Sequence, residues 1–360
     1  MTGPQKRETH VETMRGLACL ALVSYHVVGA TPQVGLEVPG TDWLFRLQLM
    51  LADMRMPLFS FISGYVFTAV LSARKSWGQV LTSKMRRLLV PMIFVGGLFW
   101  VIGDATGRVQ MPWVDTLFLP YAHFWFLQAT FTLMVLLLAL NWLYAQIRPD
   151  AFARDPKAVS VRNAALIGAL GAAIFISGRL DGFQIFSFPR AAYLAPFFMG
   201  GHIVAQRLKP ALAGLSDRGW PRVLAGLWLG ALVLWGALCA FQLLGPWQSE
   251  IRRSLSVLVG LTAALSFLVL RVHIRFLAWI GDKSFTIYLF HVFFTAAATL
   301  AMQHLLPALD RHWIYPVSLL CGLTGPILLH QVILQSRLSR FLCLGIGMPF
   351  APRRVATAAR

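Results

Sequence analysis

Charged side chains are scarce in this chain: Asp, Glu, Lys and Arg together make up 13% of its 360 residues. Hydrophobic residues account for 57% and the mean hydropathy is +0.65, which leaves too little polar surface to cover a soluble globule of this size. The solvent of most of this chain is therefore lipid. Cysteine is also rare. Cys19, Cys239, Cys321 and Cys343 lie in or beside apolar segments with no paired spacing, which argues against a disulfide framework or a zinc site and makes them packing residues. His10, His202, His273, His304, His312 and His330 form no metal-ligand pattern, so no metal is expected. No internal repeat is visible, and the alternating polarity of barrel strands is missing.

What fills the sequence is apolar runs, nearly all close to the length that crosses a hydrocarbon core of roughly 30 Å. Ten are expected: Gly16 to Ala30, Met54 to Leu71, Leu88 to Ile102, His123 to Tyr144, Ala164 to Ser177, Ala191 to Val204, Val223 to Leu244, Leu255 to Leu270, Phe285 to Met302 and Ile314 to Leu334. Backbone polar groups cannot be left unpaired in lipid, so these runs are read as helices and the fold class as all-α, a polytopic integral membrane protein of about ten transmembrane helices. The longest loops, Thr31 to Asp53 and Arg148 to Arg162, are too short for a core of their own. One transmembrane domain over residues 1–345 and a short basic tail over 346–360 is the simplest organisation. Arg15 abuts the first run and His26 lies inside it, so that run reads as a retained helix rather than a cleaved signal.

Basic residues test the count, because they are retained on the cytoplasmic side of a bacterial inner membrane. With both termini inside, 24 of the 32 Lys and Arg fall in inner segments and eight in outer ones, and the whole net charge of +18 is cytoplasmic. The excess is spread over six inner loops or tails as a topology signal, so no nucleic-acid partner is expected despite the pI near 10.8.

Chemistry then rests on ionisable residues that the membrane tolerates at a cost. Arg15 and His26 are eleven residues apart, close to three helical turns, so both project from one face about 16 Å apart along the axis. That separation suits a donor with an anionic head and a long reactive arm, such as acyl-coenzyme A, with phosphates at Arg15 and the thioester at His26. Read from spacing alone, Arg15 as an interfacial anchor and His26 as a bundle histidine is an equal alternative. Asp53 and Arg55, at the outer mouth of the second run, either pair with each other or face an acceptor. His123 and Trp125 open the fourth run at the level of His26, with Trp125 either a sugar platform or an interfacial belt residue. Tyr288 and His291, three apart, share a face and either line a channel or form a structural pair. Ser63 and Gly64 read as a helix-packing pair.

Five segments, in order, carry a family resemblance: RGLACLALVSYH (Arg15 to His26), MPLFSFISGYVF (Met56 to Phe67), KMRRLLVP (Lys84 to Pro91), HFWFL (His123 to Leu127) and KSFTIYLFH (Lys283 to His291). Together they resemble the acyltransferase-3 family of membrane proteins. The resemblance implies an enzyme that transfers an acyl group, acetyl in the first place and succinyl in the second, from cytoplasmic acyl-CoA to a hydroxyl of an exopolysaccharide or other envelope glycan. It further implies His26 as catalytic base and Arg15 as a donor-binding residue, and supports Arg86 and Arg87 as further phosphate ligands. Arg55 departs from the pattern, since relatives often carry His ahead of this segment. The expected partners are acyl-CoA as co-substrate, a saccharide acceptor that is free or lipid-linked, and membrane lipid, with no permanently bound cofactor. A multi-helix transporter or flippase of a lipid-linked glycan is the alternative. It would carry broken helices at matching places in two halves, a symmetry the sequence does not display.

Overall fold

The computed structural model describes residues 8–72, 76–243 and 249–347, and every regular element among them is helical. In chain order these are α1 (Thr9–Val28), α2 (Trp43–Met50), α3 (Ala52–Ser72), α4 (Trp77–Ala105), α5 (Asp115–Phe118), α6 (Trp125–Ile147), α7 (Pro149–Arg154) and α8 (Pro156–Ser177). There follow α9 (Phe188–Ile203), α10 (Lys209–Ser216), α11 (Gly219–Ala240), α12 (Ser249–Leu270), α13 (Arg275–Asp282), α14 (Ser284–Leu305), α15 (Arg311–Ile333) and α16 (Arg337–Leu344). Of the inner basic residues counted above, Lys6, Arg7, Arg74, Lys75, Arg353, Arg354 and Arg360 lie outside the described residues, as does nearly all of the 346–360 tail.

Nine of the described helices are long and apolar enough to cross a membrane: α1, α3, α4, α6, α8, α11, α12, α14 and α15. Nine of the ten expected runs thus form long helices, and the remaining one, the sixth, forms a shorter helix. The sixth run forms α9, a helix of 16 residues, about 24 Å long, which leads through a π-helical turn, Val204–Leu208, into α10. The reason is burial. Ala191, Ala192, Leu194, Ala195, Phe197, Phe198, Met199, Gly201 and His202 are all buried, because α9 is packed against α3, α6, α8 and α12. A helix sheathed in protein need not match the hydrocarbon thickness as one bathed in lipid must. By contrast α11 leaves Trp220, Val223, Leu227 and Leu234 exposed, and α15 leaves Leu320 and Leu328 exposed, as lipid-facing helices do.

Helix contacts are closest where glycines face each other. A Cβ placed on Gly64 of α3 would lie 1.8 Å from the carbonyl oxygen of Phe198 in α9, and one on Gly201 of α9 would lie 2.0 Å from that of Phe61. The same reciprocity joins α1 to α13, where Cβ atoms on Gly16 and Gly281 would fall 1.9 Å from Leu277 O and 2.0 Å from Glu12 O. Ser63 donates to Phe59 O within its own helix at 2.8 Å, and Ser60 to Leu194 O of α9 at 3.1 Å. The Ser63–Gly64 pair is therefore a packing device, as its composition suggests. The α13 contact also draws helical structure back to Thr9, so Arg15 stands well inside α1 rather than at its end.

The two ends of the bundle are each stitched together by the segments that charge patterning groups on one side. At one end Lys209 pairs with Glu8 and Arg271 with Asp217 at 3.4 Å. At the other, Arg252 pairs with Asp53 at 2.7 Å, Arg253 with Asp181 at 2.6 Å and Arg311 with Glu37 at 3.2 Å, while Arg46 donates to the Ala240 carbonyl. α9 runs between these two ends, from beside Asp181 to beside Lys209. Replacing Gly64 or Gly201 by Val forces α3 and α9 apart and is expected to destabilise the bundle by about 1–3 kcal/mol or more. Thermal unfolding of the detergent-solubilised protein checks this, with Gly230→Ala, whose Cβ would meet open space, expected to melt as the wild type does.

Candidate functional site

Three imidazoles converge where α1, the start of α6 and α14 meet. The ring centre of His26 is 4.8 Å from that of His291 and 6.0 Å from that of His123, and His123 and His291 are 5.2 Å apart. Each is positioned by a different local device. α1 ends just after His26 because Gly29 takes φ +105°, and the chain turns back so that Leu36 N–H donates to the Val27 carbonyl at 3.1 Å. Ala122, at φ +42°, turns the chain before α6 and swings His123 inward, against the ring of Phe124 at 4.1 Å. His291 projects from the middle of α14.

Backbone acceptors fix two of the three tautomers. His291 donates from Nδ1 to the carbonyls of Ile287 and Tyr288, both at 2.9 Å, which leaves Nε2 as a lone-pair nitrogen; it is buried and has no hydrogen-bond partner. His123 donates from Nε2 to Leu289 O at 3.3 Å, and its own carbonyl accepts the Tyr288 hydroxyl. Both imidazoles are buried, at 4% and 0% exposure, while His26 keeps partial access. Among the sequence candidates, His26, His123, Tyr288 and His291 are thus brought together.

Arg55 and Asp53 part company. Asp53 turns to Arg252, and the Arg55 guanidinium lies over the ring of Tyr25, 3.9 Å from its centre, with Nε and Nη1 buried and unpartnered. Tyr25 in turn meets His26 edge to face at 4.9 Å. Trp125 stacks under Arg190, whose guanidinium lies 5.3 Å from its ring.

The three arginines expected to hold donor phosphates have separate surroundings. Arg15 bonds both carboxylate oxygens of Glu12, at 2.8 and 3.0 Å, one helical turn away. Arg87 donates to the Leu344 carbonyl at the end of α16 at 2.7 Å and lies over the ring of Phe285 at 4.8 Å. α16 seals this stretch of α4 closely, since a Cβ on Gly345 would stand 2.1 Å from the Arg86 carbonyl oxygen. Arg86 keeps a buried Nε without a partner. α14 packs against both α1, which carries Arg15, and α4, which carries Arg86 and Arg87.

A sequence model of a family described as an acyltransferase domain matches residues 9–331. The chain belongs to this family. Among curated proteins it is similar to Nodulation protein NolL of Mesorhizobium japonicum, 28% identical over 145 residues, which are 39% of this chain and 37% of that protein. The chain thus spans little more than a third of that relative's length. No solved structure matches it. The matched region contains all three imidazoles as well as Arg15, Arg55, Arg86 and Arg87.

Two polar groupings escape sequence reasoning. Deep in the bundle His202 bonds Thr68 at 2.8 Å and Ser160 at 2.9 Å, and Ser160 accepts from Asn141 at 3.0 Å, which links α3, α6, α8 and α9. Nothing in the spacing of these residues announces the contact. At the Glu8 end, Tyr65 donates to the Glu8 carboxylate at 3.1 Å and His10 stands 3.4 Å from it, in a cleft also lined by Lys209 and Arg271. Among the described residues no group of His, Cys, Asp and Glu is placed to hold a metal ion.

The Glu8 pair carries a pH signature. Burial opposes ionisation of Glu8, yet the Lys209 ammonium, aided by His10 and the Tyr65 hydroxyl, holds its carboxyl below the ordinary 4.5. A lowered carboxyl contributes stability that is complete above 4.5 and is lost as pH falls through the lowered value. Both side chains are partly exposed, so the effect is small. Glu8→Gln is expected to lower the melting temperature by about 1–2 °C at neutral pH. The difference from wild type should shrink as pH falls through the lowered carboxyl value, where Glu8 takes up its proton and the pair loses its negative partner.

Proposed function

We propose that this protein is a membrane-bound O-acyltransferase of a bacterial inner membrane, with both termini cytoplasmic, that moves an acyl group from cytoplasmic acyl-CoA to a hydroxyl of an exopolysaccharide or other envelope glycan. The observation that carries the reading is the convergence of His26 with His123 and His291 inside a chain of the acyltransferase family, at the far end of α1 from Arg15. The inner-face assignment rests on the basic segments that the Glu8–Lys209 and Asp217–Arg271 pairs bring together.

In this reading His26, accessible and free of any hydrogen bond that would commit its nitrogens, acts as general base. It takes the proton of an acceptor hydroxyl as that oxygen attacks the thioester carbonyl. The carbon–sulfur bond then breaks, the imidazolium returns the proton to the departing thiolate, and the acyl group is left as an ester. His123 and His291, locked by backbone carbonyls, stand with their rings beside His26 and bracket the reacting end. The donor's phosphates approach from the Arg15 side. Arg86, with its unpartnered Nε, is the readiest of the three arginines to bind them, while Arg15 must share its Glu12 contact and Arg87 its hold on α16. Acetyl is the first candidate acyl group.

The deciding measurement is the ester-linked acyl content of envelope glycans in wild type, a deletion strain and His26→Ala at matched protein abundance. Loss of one substituent in both mutants is the expected result, with residual transfer down about 10²–10⁴-fold in the variant, the usual worth of a positioned base. Unchanged acylation with glycan retained inside the deletion strain would make the protein a carrier instead.

A further inference from the structure

A buried arginine without an anion stands one aromatic ring from the proposed base. The guanidinium of Arg55 rests on Tyr25, Tyr25 touches His26, and Arg55 and His26 lie within electrostatic reach of each other. The acid nearest in sequence, Asp53, is held by Arg252 at 2.7 Å. The titratable groups bearing on Arg55 are the phenols of Tyr25 and Tyr193, with no carboxylate among them. Three other acids at this end are committed as well: Asp181 to Arg253, Glu37 to Arg311 and Asp42 to His312.

A guanidinium does not shed its proton, so Arg55 remains a cation whose Nε–H and Nη1 donors are desolvated and unused. Such a group is strongly unfavourable until something anionic meets it, and His26 and Arg55 are each only partly buried as whole residues. The contact to His26 runs through the Tyr25 ring, so Arg55 addresses an atom several bonds from the reacting carbonyl rather than the carbonyl itself.

We propose that Arg55 is a substrate-binding residue that pairs with a carboxylate carried by one of the two substrates, held beside His26. The inference rests on the acyltransferase reading above. Two sources supply that chemistry: the free end of a dicarboxylic acyl group on the donor, of which succinyl is the simplest, or a uronic-acid unit of the acceptor glycan. In either case the carboxylate is unchanged by the reaction and serves only to select and orient its bearer, as planar charge-assisted pairs with arginine do.

The test is equilibrium binding to the full chain in lipid nanodiscs, for wild type, Arg55→Gln and Arg55→Lys. The probes form two pairs: succinyl-CoA against acetyl-CoA, and a glucuronic-acid oligosaccharide against a neutral glucan of the same length. Wild type is expected to prefer the carboxylate-bearing member of one pair by about ten- to a hundredfold. Arg55→Gln should erase that preference while keeping the affinity for the neutral member, which also shows that the variant is folded, and Arg55→Lys should restore part of it. Preference within the first pair places the carboxylate on the donor, and within the second on the acceptor. No preference in wild type for either pair, or a preference that survives Arg55→Gln, overturns the assignment. Failure of both thioesters to bind wild type strikes instead at the donor reading, and an uronate preference abolished by Arg55→Gln would stand without it.

Discussion

Main chain touching main chain is the contact on which this bundle depends. Inside lipid there is no hydrophobic gain in bringing two helices together, so close van der Waals approach and buried hydrogen bonds must do it. Gly64 against Phe198 and Gly201 against Phe61 set α3 on α9, and Gly16 against Leu277 and Gly281 against Glu12 set α13 on α1. Gly236 repeats the device against the Met50 carbonyl, while Gly260 makes room for the side chains of Pro57 and Phe197. With α1 and α3 thus fixed against their neighbours, Tyr25 and His26 at the end of one helix and Arg55 at the start of the other are delivered to the same place.

Much of this was legible in the residues, and the failures have physical causes. Hydropathy finds the nine long helices because each presents a lipid-facing side. It also finds Ala191 to Val204, but not that this helix is shorter than the others, since α9 is surrounded by protein and its length answers to packing rather than to bilayer thickness. Helical spacing singles out Arg15 and His26 but cannot supply His123 and His291, which come from segments 97 and 265 positions further on than His26. The ordered motifs could flag all three. Pairings such as Asp53 with Arg252, Arg87 with Leu344 and His202 with Ser160 join distant stretches of chain through side-chain direction, and no local pattern encodes them.

Electrostatic satisfaction is uneven, and the unevenness is informative. Most carboxylates at the two ends of the bundle have a cationic partner, including Glu8, Glu12, Glu37, Asp53, Asp181 and Asp217. Among the described residues, the buried polar atoms left over are few, and they include atoms of the candidate residues Arg55, Arg86 and His291. Structural groups such as His202 are bonded at both ring nitrogens.

The short central helix also bears on how such a protein is made. α9 carries Pro196, Gly200, Gly201 and His202 within 16 residues, and nearly all of its surface is covered by α3, α6, α8 and α12. Emerging from a ribosome it has α3, α6 and α8 ready to receive it, but α12 has not yet been synthesised. Biogenesis of this fold therefore includes an interval in which a half-covered, polar-interrupted helix must be held by its earlier neighbours alone, and closure around it waits for α12, some 60 residues later in translation.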